Sequence, residues 1–232
     1  MAGRSRTVGR SSEPRPEHRL GARFFDRPAR ELARALLGTQ LEVRDDRGVR
    51  RGRIVETEAY VRGDAASHAF RGRTRRNRSM YGPPGTFYVF RIHQVVCANM
   101  VAREREAVLL RAAALDGADS RAGSGPGRLC RALGITIADD GEDAVRGARI
   151  ALYSRLRRPR SIRVGPRIGI RLDRDRPLRF WIAGERSVSG ARRLNASASP
   201  NRSRAGAPSR RSRTRRTRAS GGGRSGGRSA GR

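Results

Sequence analysis

RIVETEAY, residues 53–60, sets two carboxylates and an aromatic ring at alternate positions of a segment rich in branched residues, the pattern of a β-strand. At period two, Glu56, Glu58 and Tyr60 share one face, and Val55, Thr57 and Ala59 the other. Carboxylates go inside only with a partner or a task, so the first face either is solvated or lines a pocket. Taken in isolation, the octet predicts a half-exposed strand with solvated glutamates.

Outward from the octet, the preceding TQLEVRDDRGVRRG alternates around a turn at Asp45 to Gly48 and makes RIVETEAY the second strand of a hairpin. Further back, FFDRPARELARALLG reads as a core helix. Asp26 is placed to cap it, Pro28 suits its first turn, Leu32, Ala33, Leu36 and Leu37 form one apolar stripe, and Gly38 ends it. Downstream, residues 62–87 lack periodicity and predict a long surface loop or several turns, a length that is usually functional inside a compact domain. TFYVFRIHQVVCANMV and EAVLLRAAAL read as strands separated by a turn near Ala102 to Glu106. GSGPGRLCRALGI reads as turn then helix, and SIRVGPRIGIRL and PLRFWIAG as two more strands before the apolar signal ends at Val188.

The 232 residues allow one domain with polar extensions. Residues 1–20 are polar and aperiodic and predict a disordered lead-in, 21–189 the folded body, and 190–232 a disordered basic tail rich in Arg, Ser and Gly. The chain holds 53 basic residues against 21 acidic ones, all of the basic ones arginine, for a formal charge of +32. Such a surplus points to a polyanion, most directly nucleic acid, and the tail adds contacts that do not read sequence. Cys97 and Cys130, with three scattered histidines, offer no zinc spacing, so reduced thiols and neither metal nor cofactor are expected. No apolar run is long enough for a membrane span, and MAGRSRTVGR lacks a secretory hydrophobic segment, so the expected setting is the cytoplasm, against the nucleoid.

RGRIVETEAY, His68, RRNRSMYGPPGTFYVF, the cysteine and asparagine of CAN, AVLLRA, SGPGRLCRALGI, and PRIGI followed by PLRFWIAG and a Val-Ser pair, in this order, resemble the alkyladenine (3-methyladenine) DNA glycosylase family over about Leu20 to Ser189. The resemblance implies an α+β fold, a single mixed α/β domain around a curved, mainly antiparallel sheet. It also implies a monomeric enzyme that flips a damaged purine out of double-stranded DNA and hydrolyses its N-glycosidic bond. Family substrates are alkylated purines, hypoxanthine and ethenoadenine. On this reading Glu58 matches the general base and Arg111 the arginine that helps hold the attacking water and keeps Glu58 ionised. The backbone carbonyl near Val188 completes the water site. Tyr60, His68 and Phe90 match residues that hold the flipped base, Phe90 standing where the family often has tyrosine, and Asn99 matches a pocket residue that disfavours the exocyclic amine of guanine. Glu56 receives no role and is expected to be structural, paired with an arginine.

Two departures stand out. The family's wedge-bearing hairpin is one residue shorter here, in FRIHQVVCAN, which makes Ile92 or His93 the expected intercalating residue. The segment between Leu115 and Gly125 is also short. With no lysine to form a Schiff base, a water-using, monofunctional glycosylase is expected. The competing readings are a non-catalytic basic protein that coats DNA or RNA, and a nucleoside hydrolase, for which this much positive charge has no use.

Overall fold

The computed structural model describes residues 18–155 and 157–190, all within one compact unit. Of the expected disordered lead-in, 1–20, and basic tail, 190–232, all but residues 18–20 and Gly190 lie outside the described residues. Residues 18–20 are already tied down: Leu20 N donates to the Leu152 carbonyl at 2.8 Å, and the Arg19 guanidinium to the Gly147 carbonyl at 2.6 Å.

The strand that carries RIVETEAY, β2 (Gly48–Tyr60), follows β1 (Gln40–Asp45) through the expected turn, and the two pair antiparallel. Then come β3 (Phe87–Ile92), β4 (Val95–Val101), β5 (Ala107–Leu115), β6 (Ile150–Tyr153), β7 (Ile162–Gly165) and β8 (Arg179–Ile182). The sheet runs β3-β4-β5-β2-β1-β6, and β8 joins the outer half of β2 and carries β7. Every pairing is antiparallel. With the helices this is the α+β domain on a curved antiparallel sheet that the resemblance implies. The centre of β2 is enclosed on both edges, by β5 on one and β8 on the other.

Among the described residues three short α-helices accompany the sheet: α1 (Ala22–Phe25), α2 (Ala29–Leu36) and α3 (Pro126–Leu133). The stripe Leu32, Ala33, Leu36 and Leu37 is buried as its spacing predicts. Thr57 Oγ1 donates to the Ala33 carbonyl at 2.9 Å, so α2 covers the Val55-Thr57-Ala59 face of β2 and leaves the carboxylate face to the other side. A separate short helix, α1, precedes the expected one, and Asp26 does not cap α2. Pro28 takes the N-cap position, Glu106 Oε2 accepts from Ala29 N at 2.6 Å, and Asp26 Oδ1 accepts from Arg103 Nε at 2.8 Å. A carboxylate from across the sheet thus does the work assigned to a local one.

Three further features bear on the sequence reading. Ile54 to Ala59 are all buried, both glutamates included, so the half-exposed strand is wrong. Residues 62–87 form several turns, the second of the two expected alternatives, rather than one long surface loop. Buried Asn77 gathers them, donating to the carbonyls of His68 at 2.8 Å and Gly72 at 2.9 Å and accepting from Thr74 N at 2.6 Å. β6 was not foreseen, because IALY is too short for its period to show. The short stretch after β5 returns on itself: Ala113 N donates to the Gly123 carbonyl at 3.1 Å, and a Cβ on Gly123 would lie 2.0 Å from the Ala113 oxygen.

Candidate active site

The pairing of β2 with β5 is irregular where the carboxylates sit. Opposite Glu56 stands Ala112 and opposite Thr57 stands Leu110, so Arg111 is left over on β5, and Val55 is skipped on β2. Bulges of this kind re-aim a side chain. Arg111 Nε lies 3.3 Å from Glu56 Oε1 and 3.4 Å from Glu58 Oε1, and both carboxylates are fully buried. One guanidinium is shared by two carboxylates that period two had already put on one face.

Each oxygen of Glu58 has a partner. Oε1 accepts from the backbone N–H of Ile168 at 2.8 Å, and Oε2 from the Tyr60 hydroxyl at 3.2 Å. Burial is the largest influence on this carboxyl and pushes its pKa up; Arg111, the Ile168 amide and Tyr60 pull it down, Glu56 pushes it up again, and the net direction is upward. Arg111 thus acts in the expected direction, favouring the ionised form and offsetting part of the desolvation, while the carboxyl stays above the ordinary glutamate range. Burial and the charge of Glu58 also push the Tyr60 phenol up, which keeps it a hydrogen-bond donor. The other face of this cluster is an ion pair with no exposure, in which Arg167 bonds to Asp64, donates to the Ala59 carbonyl at 3.1 Å, and stands 4.7 Å from the Tyr60 ring centroid.

In front of Arg111 opens a cavity of about 360 Å³ lined also by Tyr60, His68, Phe90 and Asn99, with Ile92 and His93 on its wall. The His68 and Phe90 rings meet edge to face with centroids 4.4 Å apart. His68 Nδ1 is 2.8 Å from the Tyr88 hydroxyl, and burial followed by the charge of Arg76 lowers the pKa of the imidazole, which favours its neutral form. Asn99 Nδ2 donates to the Tyr88 carbonyl at 3.0 Å. Ile92 and Val95 close the β3–β4 hairpin over a two-residue tip in which His93 takes a left-handed φ of 51°, and Ile92 is half exposed. The Val188 side chain is buried and its carbonyl accepts from Ser124 Oγ at 3.4 Å; the next residue, Ser189, touches both Arg111 and Glu56.

The residues singled out in the sequence thus gather at one place, Glu58 lying directly behind three residues of the cavity wall, Tyr60, Arg111 and Ile168. A family model described as methylpurine-DNA glycosylase matches residues 23–186. The chain belongs to the methylpurine-DNA glycosylase family. As a member of it, the protein is a DNA N-glycosylase of base excision repair, and the reading as a merely DNA-coating protein gives way. Among relatives of this glycosylase are proteins named "Putative 3-methyladenine DNA glycosylase" from three organisms. That of Methanoculleus marisnigri is 40% identical over 190 residues, covering 73% of this chain and 98% of its own length. That of Mycolicibacterium paratuberculosis is 41% identical over 196 residues, covering 75% and 93%. That of Agrobacterium fabrum is 43% identical over 179 residues, covering 72% and 90%.

Sequence reasoning missed several groups of the glycosylase site. Tyr88 carried a signal, since it alternates with Phe90 and Ile92 along β3. The Ile168 amide carried none, being backbone. Cys97, also on the cavity wall, is a free thiol whose pKa burial pushes up to about 11, so it is protonated at neutral pH. Among the described residues no cluster of His, Cys, Asp and Glu could hold a metal, and no helix is long and apolar enough to cross a membrane.

Proposed function

We propose that the protein flips alkylated or deaminated purines, the class of 3-methyladenine, 7-methylguanine, hypoxanthine and ethenoadenine, out of double-stranded DNA and hydrolyses their N-glycosidic bond with a water activated by Glu58. The observation that carries this reading is a buried carboxylate, raised in pKa and paired with Arg111, immediately behind an aromatic cavity. The flipped base stacks on Tyr60 and is edged by His68 and Phe90, while Asn99 screens out guanine's exocyclic amine. Ile92 or His93, at the exposed hairpin tip, fills the space left in the duplex.

Water reaches Glu58 through the layer formed by Tyr60, Arg111 and Ile168, and the Val188 carbonyl helps to orient it. Each carboxylate oxygen accepts one hydrogen bond from protein, which leaves a lone pair for water. As the bond from C1′ to the purine nitrogen breaks, the sugar gains oxocarbenium character, which the negative carboxylate stabilises. The bonding pair departs on the purine nitrogen, leaving a neutral base where alkylation had made the purine cationic and otherwise an anion that takes a proton from solvent; Glu58 takes the water's proton as the water oxygen bonds to C1′, and the products are free purine and an abasic site. The absence of lysine supports this water-only, monofunctional course. The protein acts as a monomer, in the cytoplasm and against the nucleoid.

The test is base release from duplexes that each carry one hypoxanthine, ethenoadenine or 7-methylguanine, beside an undamaged duplex and free inosine. Release from a damaged duplex, with abasic sites and no strand nick, is expected. Cleavage of inosine alone would instead mark a nucleoside hydrolase.

A further inference from the structure

Glu56, which the resemblance leaves without a role, accepts three hydrogen bonds. Oε1 accepts from Arg179 Nε at 2.5 Å and from Ser189 Oγ at 2.8 Å, and Oε2 accepts from Ser189 N at 2.7 Å. Arg111 Nε, in turn, donates to Ser189 Oγ at 3.2 Å, and Arg179 Nη2 donates to the Ser189 carbonyl at 3.1 Å. Ser189 is therefore gripped at its amide, hydroxyl and carbonyl, all through Glu56 or arginines in contact with it. Arg179 is itself held, its guanidinium 4.7 Å from the Trp181 ring centroid. The segment fixed in this way carries Val188 and lies at the end of the described residues, with Ser189 against Arg111.

An inert ion pair would need only one guanidinium. Here a buried carboxylate has two, Arg179 and Arg111, and Arg111 reaches Glu58 from the same nitrogen. From this shared geometry we propose that Glu56 is a positioning residue of the glycosylase reaction, a latch that closes the Val188–Ser189 segment against the site and sets the guanidinium of Arg111 between itself and Glu58. The proposal rests on Glu58 being the base. It assigns Glu56 no proton: Glu56 acts through Ser189 and Arg111, and the bonding water never touches it.

Latch and inert pair differ in what removing the charge does. The groups that face the two carboxylates are Arg111 from β5, Arg179 from β8, Tyr60 from β2, the thiol of Cys97 from β4 and the Ile168 amide, with Arg167 behind Tyr60. With Glu56 neutral, Arg111 turns wholly to Glu58, and a negative neighbour that raises the Glu58 pKa is gone. The acid limb of the rate must then move to lower pH, which loss of stability alone does not cause.

The experiment measures single-turnover base release against pH, duplex affinity and melting temperature for wild type, Glu56→Gln, Ser189→Ala and Glu58→Gln. For Glu56→Gln the plateau rate is expected to fall about 10- to 100-fold, the scale of a small misplacement of reacting groups, with affinity for the lesion duplex within about twofold of wild type and the acid limb displaced downward. Ser189→Ala is expected to lower the plateau at unchanged affinity without moving the limb as far, because it keeps the Glu56 charge. Wild-type rate and an unmoved limb in Glu56→Gln would overturn the proposal, as would full activity in Ser189→Ala should Glu56→Gln fail to fold. Activity surviving in Glu58→Gln would sink the underlying base assignment instead, so the two failures are distinguishable.

Discussion

At the scale of the residue, the central fact is that Glu58 is buried with its charge only partly compensated. Burial and Glu56 lift its pKa, and Arg111, Ile168 and Tyr60 pull it back, with the lift prevailing. A general base works when deprotonated, so the plateau rate should rise with pH through this raised value and place the acid limb above the ordinary glutamate range. A rate–pH profile under single turnover reads it directly, and a limb at or below the usual carboxylate range would contradict the assignment. Period two put Glu56, Glu58 and Tyr60 on one face, and that much of the site was legible from eight letters. The positions of His68, Phe90, Asn99 and Arg111 were legible only through resemblance, because no local pattern says that four distant segments meet. The Ile168 amide and the latch through Ser189 were hidden, the first because backbone has no letter of its own, the second because both partners look like ordinary polar residues.

At the scale of the element, the β2–β5 pair carries the account, since its bulge turns Arg111 toward the carboxylates. The same pair is braced by the return of the chain at Gly123, where a Cβ would lie 2.0 Å from the Ala113 oxygen. Gly123→Ala should force the backbone apart there and cost roughly 1–3 kcal/mol, the range of overpacked sites. Denaturant unfolding measures it, and an unchanged midpoint would mean that the turn gives way freely. Strands with a long alternating or apolar pattern were legible, β1 to β5 among them. β6 was not, for four residues hold too little period, and its place on the edge of β1 comes from the sheet. The cap of α2 was misassigned because Asp26 before Pro28 has the composition of a local cap, whereas the cap on Ala29 arrives from Glu106.

At the scale of the whole molecule, charge and chemistry separate. Residues 1–189 carry 40 arginines and 21 acids, leaving +19 without the 13 arginines that follow Gly190. Deleting residues 190–232 should therefore weaken binding to undamaged duplex and flatten its salt dependence, since each lost phosphate contact removes close to one unit of slope, while base release at low salt persists. Titrations at several salt concentrations check this; a slope unaltered by the deletion would show that the tail makes no phosphate contacts. What the molecule does with the DNA it holds depends on Glu58. The most direct measurement compares wild type with Glu58→Gln for release of free base from a hypoxanthine-containing duplex, with binding of the same duplex measured alongside. The account expects the substitution to abolish release while affinity stays nearly unchanged; release at the wild-type rate by the glutamine variant would contradict it.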